Sequence, residues 1–172
     1  MVMTYVWDAT LLLHAQSAQR GDVLGDLLPR GRHITTDVVF SEIAAGVPDW
    51  IYVVQAPSDP EYLAALQVWR LRCAAGRGRH EGEASVLAPV ENARDDDIAV
   101  VDDGDARAVG RRHLGEGRVH GSLWLLCRGI DEEPARRTSV SRFCDAVLAD
   151  GIRWPFGVGG FDAWAVAQRL LT

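Results

Sequence analysis

Residues 2–16 read VMTYVWDATLLLHAQ. The first six are apolar or β-favouring and alternate weakly, which predicts a strand ending at Trp7. From Ala9 onward the period changes, and Leu11, Leu12 and Ala15 fall on one face of a helix. Asp8 stands at the switch. A strand that runs straight into a helix is half of a βαβ unit, and the rest of the chain repeats the alternation. HITT at 33–36, WIYVVQAP at 50–57, IAVV at 98–101 and RVH at 118–120 predict four more strands. Between them lie helical stretches. These are DVLGDLL before Pro29, DVVFSEIAA capped by Thr36 with Val39, Phe40 and Ile43 facing a core, EYLAALQVWRLRCAA, EGEASVLAPVENA, which Pro89 should kink or shorten, and DARAVGRRH. GSLWLLCRG, SVSRFCDAVLADG and FDAWAVAQRLL add helices toward the C-terminus. Alternation of this kind predicts the α/β class with a mostly parallel central sheet.

At 172 residues and 48% hydrophobic content the chain can bury a full core as one compact domain. No apolar run approaches the roughly 20 residues that cross a bilayer, and the N-terminus lacks a basic stretch ahead of an apolar one. A soluble, cytoplasmic protein without membrane partners is expected. Cys73, Cys127 and Cys144 are odd in number and widely spaced, which fits reduced core thiols. The formal net charge is -6. Asp8, Glu42, Glu83, Asp102, Asp103 and Asp105 account for that whole excess, so an acidic pI excludes neither RNA nor DNA. All 18 basic residues are arginine, whose fork suits phosphate.

Those six acids follow a pattern. Asp8 and Asp102 end predicted strands, and a parallel sheet gathers its functional groups at that carboxyl edge. Glu42 and Glu83 lie on predicted helices. Carboxylates alone make a site for a hard cation, Mg²⁺ or Mn²⁺, which activates water and stabilises a leaving oxygen in phosphodiester hydrolysis. Taken singly, Asp8 could be a helix N-cap and Glu42 and Glu83 solvated helix acids; their order along the chain favours the site. HEGE at 80–83 lacks the paired histidines of a helical zinc site, and GVGG at 157–160 lacks the strand and acid of a dinucleotide fingerprint. Trp154, Phe156, Phe161 and Trp164 read as packing for the last helix or a dimer interface, ahead of base stacking.

Five segments in register resemble the PIN-domain ribonucleases, in the branch close to VapC-type toxins: VWDATLLLHA, TTDVVFSEI, GEASVLA at 82–88, VVDDGDARAVGRR and VHGSLWLL at 119–126. The resemblance implies a PIN-like three-layer αβα sandwich, with residues 1–130 as the nuclease domain and 131–172 as a C-terminal helical extension packed on it. It implies a metal-dependent endoribonuclease, the toxin of a toxin–antitoxin pair. Asp8, Glu42 and Glu83 would be catalytic metal ligands, with Thr10 as the small polar residue after the first. Asp102, Asp103 and Asp105 would supply the last position, and at least one of them should cap the following helix, because one Mg²⁺ that keeps waters cannot take all three. Many relatives have aspartate where Glu83 stands, and the segment 57–80 is longer than a minimal toxin needs. A homodimer and an antitoxin that blocks the acidic groove are the implied partners. Arg77, Arg79, Arg107 and Arg111, with Arg70, Arg72 and Arg112 beside them, either grip RNA phosphates or form solvated helix faces. The alternatives are a catalytically weak PIN-like module that binds RNA or protein, and a DNA-directed nuclease.

Overall fold

The β-branched and aromatic runs form five strands: β1 (Thr4–Trp7), β2 (Arg32–Thr36), β3 (Tyr52–Val54), β4 (Ile98–Val100) and β5 (Val119–His120). Nine α-helices accompany them among the described residues: α1 (Thr10–Ser17), α2 (Gly21–Leu27), α3 (Asp37–Glu42), α4 (Pro60–Cys73), α5 (Glu81–Glu91), α6 (Gly104–Leu114), α7 (Ser122–Glu132), α8 (Arg137–Ala149) and α9 (Phe161–Ala167). The structure is a computed structural model and describes residues 2–43, 46–55, 60–74, 81–93 and 96–171. The sheet order is β3-β2-β1-β4-β5, and every pairing is parallel. This is the α/β class that the alternation predicts. β1 and β4 are buried along their whole length, as near-continuous apolar runs in parallel sheets are. β3 is an edge strand, and its Tyr52 is exposed.

The strand order carries the functional information. From β1 the chain winds outward to β2 and β3, then returns to lay β4 along the other side of β1. The direction of winding therefore reverses between β1 and β4. Open parallel sheets bind ligands at such a point, outside the carboxyl ends of the strands.

Two compact units interleave along the sequence, one formed by Met1–Thr10 with Gly31–Gly121 and the other by Leu11–Arg30 with Ser122–Thr172. Residue 130, the expected end of the N-terminal domain, lies within α7. In the first unit α5 packs on β1, β2 and β4. Gly110 lets α6 approach closely, since a Cβ there would sit 2.8 Å from Leu87 Cδ2. Trp69 of α4 is fully buried, and its Nε1–H donates to Glu91 Oε2 at 2.7 Å while the Arg72 guanidinium stacks 4.7 Å above its ring.

In the second unit Leu12, Leu24, Leu126, Phe143 and Phe161 are buried on five different helices. Gly129 lets α7 meet the end of α2, where a Cβ would overlap the Leu27 carbonyl oxygen. Trp154, Phe156, Phe161 and Trp164 pack against one another, with adjacent ring centroids 5.3–6.4 Å apart. Three helix ends share one device. The residue after the last turn takes a left-handed conformation while the next N–H reaches back five residues: Gln19 after α1, Gly151 after α8 and Arg169 after α9.

One local expectation needs correction. Phe40 is 41% exposed, because α3 is a single short turn and a half and cannot turn both Val39 and its neighbour inward. Pro89 sits inside α5, which continues to Glu91. All three cysteine thiols are buried and free, and burial lifts Cys73 to about 11 and Cys127 to about 12. Among the described residues no helix is long and apolar enough to cross a membrane.

Glycine carries no steric penalty in the left-handed region that Gln19 occupies at a φ of 55°. Gln19→Gly should therefore raise the unfolding free energy by about 0.5–1 kcal/mol in urea titrations. Gln16→Gly, inside α1, should lower it.

Candidate functional site

The end of β1 delivers Asp8 to the point where the winding reverses, and only 3% of it is exposed. Its backbone N–H donates to the Val100 carbonyl at 3.0 Å, which extends the β1–β4 ladder by one rung. Its side chain makes the next link. Oδ2 accepts the backbone N–H of Asp102 at 2.7 Å, and Oδ1 accepts that of Thr10 at 3.2 Å. The bond to Thr10, two positions on, is an Asx turn, not the N-cap, which falls at Ala9: Asp8 turns the chain toward α1 and holds the end of β4 beside it.

The following acids separate by role. Asp103 is the N-cap of α6 and accepts the Ala106 N–H at 2.7 Å, the capping duty required of one member of the cluster. Asp105 is exposed in the first turn of α6. Asp102, half-buried, is the one that faces Asp8: its charge acts directly on the Asp8 carboxyl.

Glu83 and Glu42 reach the same region by a different route. Thr36 caps α3 by accepting the Val39 N–H at 3.2 Å, and its hydroxyl shares a 2.7 Å hydrogen bond with Ser85. The Ser85 hydroxyl in turn donates to the Gly82 carbonyl at 2.7 Å, so the start of α3 is tied to the first turn of α5. Gly82 leaves room for the last residue of α3, since a Cβ there would lie 3.0 Å from Glu42 Oε1. Glu83 stands between the two ends of the acidic line, and its charge acts on both Asp8 and Glu42.

Electrostatics follow from this crowding. Burial first, then the charges of Asp102 and Glu83, push the Asp8 carboxyl well above the usual carboxylate range, although two backbone N–H groups favour its charged form. Partial burial, Glu83 and Glu81 raise Glu42 in the same direction. The donor set is all oxygen and mutually repulsive, which fits a divalent cation. Among the described residues no three His, Cys, Asp or Glu side chains gather tightly enough to enclose an ion. Mg²⁺ that keeps most of its waters needs only one or two protein carboxylates, and Asp8 with Asp102 can supply those.

The arginines divide similarly. Arg107 donates through Nη1 to the Val101 and Asp102 carbonyls at 2.8 and 3.0 Å, clamping the chain beyond β4. Arg111 donates to the Val119 carbonyl at 2.9 Å and pairs with Glu116 at 3.5 Å. Arg112 is exposed, and Arg77 and Arg79 lie outside the described residues. Gly82, Ser85 and the clamping role of Arg107 are not evident from residue type; the small-residue run GEAS at a helix start is the one local sign that two elements meet closely there.

No family model, no curated protein and no solved structure matches this chain.

Two outcomes follow from these roles. Asp103→Ala removes a cap and should lower the unfolding free energy by about 0.5–2 kcal/mol, while Asp105→Ala should leave it within about 0.5 kcal/mol. Because the Asp8 pKa is raised on folding, the native state holds its proton more tightly than the unfolded chain does. The destabilising effect is absent below the unfolded value of about 3.9 and grows as pH rises through the raised native value. The stability of metal-free Asp8→Asn minus that of the parent should therefore increase with pH across this window in denaturant titrations.

Proposed function

We propose that this protein is a Mg²⁺- or Mn²⁺-dependent endoribonuclease of the PIN-domain kind, acting as the toxin of a toxin–antitoxin pair in the cytoplasm. The observation that carries this reading is a buried aspartate, Asp8, at the reversal point of a parallel sheet, within reach of the charges of Asp102 and Glu83. Such crowding destabilises the empty protein, and a bound cation offsets it. Asp8 and Asp102 would hold the ion, with Glu83 and Glu42 accepting hydrogen bonds from its waters. The ion would supply an activated water and charge neutralisation at the scissile phosphate. The N–H donors of Arg107 and Arg111 not engaged with carbonyls, together with Arg77 and Arg79, would bind flanking phosphates of the RNA. Leu63, Val68 and Leu71, all exposed on α4, offer apolar surface for the second copy of a homodimer or for an antitoxin.

A second reading is a non-cutting module that binds RNA or protein through the same fold. It is favoured by the absence, among the described residues, of a group of three gathered ligands.

Cleavage of a labelled RNA separates the two. The parent protein should cut in Mn²⁺ or Mg²⁺ and stop cutting in EDTA, and Asp8→Asn should fall to the EDTA level with its circular dichroism unchanged. Calorimetry should show Mn²⁺ binding that Asp8→Asn loses. Metal-independent binding of RNA without cleavage would select the second reading, and a preference for cutting single-stranded DNA would redirect the substrate class.

A further inference from the structure

The second unit carries an open pocket of about 320 Å³ lined by Arg20, Val23, Ser139, Arg142 and Phe143. Ser139, Arg142 and Phe143 are spaced i, i+3 and i+4 on α8, so one helix face supplies a hydroxyl and a guanidinium, with the Phe143 side chain buried behind them. Arg20 enters from the turn ahead of α2, immediately after Gln19, whose left-handed backbone a non-glycine residue adopts only under strain. Val23 adds apolar surface from α2. Among the described residues no carboxylate lines the pocket.

The two arginines differ from the others around them. Arg128 pairs with Asp131, Arg136 with Glu133 and Arg137 with Asp162. Neither the Arg20 nor the Arg142 guanidinium has a hydrogen-bond or ion-pair partner among the described residues. Guanidinium groups offer donors only, and a seryl hydroxyl adds one more. A carboxylate, with one charge and two oxygens, is satisfied by a single fork; two forks and a hydroxyl match three terminal oxygens carrying nearly two charges. The volume lies at the lower end of small-molecule pockets, which run from about 300 Å³ upward.

From this geometry we infer that the pocket binds a small phosphomonoester with a part-apolar body, of the nucleoside monophosphate class. The phosphate lies between Arg20 and Arg142 and accepts from Ser139, and the apolar part of the ligand rests on Val23, which is exposed. None of these residues belongs to the carboxylate site, so binding needs no divalent ion.

Isothermal titration of the full chain in EDTA tests this, with a panel of four nucleoside 5′-monophosphates, inorganic phosphate, and adenosine. At least one monophosphate should bind one to one, weaken with added salt, and be displaced by inorganic phosphate, while adenosine should give no heat. Arg20→Gln with Arg142→Gln should weaken binding by about tenfold or more and leave the thermal unfolding of the free protein unchanged. Asp8→Asn should bind as the parent does, so failure of the nuclease reading would leave this result intact. Heat from adenosine equal to that of its monophosphate would overturn the assignment, as would binding indifferent to the paired arginine substitutions or no binding by any monophosphate. A short RNA bound about tenfold more tightly than every monophosphate through the same arginines would overturn it too, by making the site part of a nucleic-acid surface.

Discussion

Asp8 gives its backbone N–H to Val100 and takes that of Asp102 on its side-chain Oδ2, so the centre of the sheet is finished by a carboxyl side chain. A backbone carbonyl in the same place would close the ladder without crowding three acids together. The carboxylate is what brings the end of β4, the start of α1 and the line of acids to one spot. Asp8 therefore has two duties that pull against each other: its hydrogen bonds favour the charged form, and its burial opposes it. Satisfied hydrogen bonds thus coexist with burial and neighbouring charges that oppose ionisation.

The fold was legible in the sequence to the extent that local pattern decides it. The change from strand to helix at Asp8, the apolar run IAVV and the cap at Thr36 each rest on residues within a few positions of one another, and each forms as read. Failures came where the length of an element or a distant partner decides. Phe40 belongs to an apolar triplet by sequence, yet the shortness of α3 turns it outward. Which of Asp102, Asp103 and Asp105 faces Asp8 could not be read from spacing, because it depends on the pairing of β4 with β1 and on which acid caps α6. The pocket between Arg20 and Arg142 left no mark at all in the sequence, since its two arginines lie more than a hundred positions apart. Interleaving of the two compact units has the same origin: the residues 11–30 join the tail through burial that no local period announces.

Charge is distributed unevenly between those units. The one built from residues 11–30 and 122–172 holds eight arginines against eight acids and is formally neutral, so the net charge of -6 belongs entirely to the unit that contains the sheet. Long-range attraction does not draw a polyanion to that unit. Any phosphate that reaches Asp8 must be admitted by short-range partners, a cation or an arginine fork, which makes access conditional on what is bound there.

The order of the strands also governs how the chain assembles. β1 emerges first in synthesis, but Tyr5 finds its partner His33 only after β2 and its partner Ile98 only after roughly ninety further residues. At about 5–20 residues per second the central strand waits several seconds with one edge open. Closure of the loop between β1 and β4 is a high contact-order step, and the acid that finishes the sheet forms its bonds only then. The crowded carboxylates thus come together only once β4 pairs with β1, and until then the nascent chain carries the parts of the site without the site.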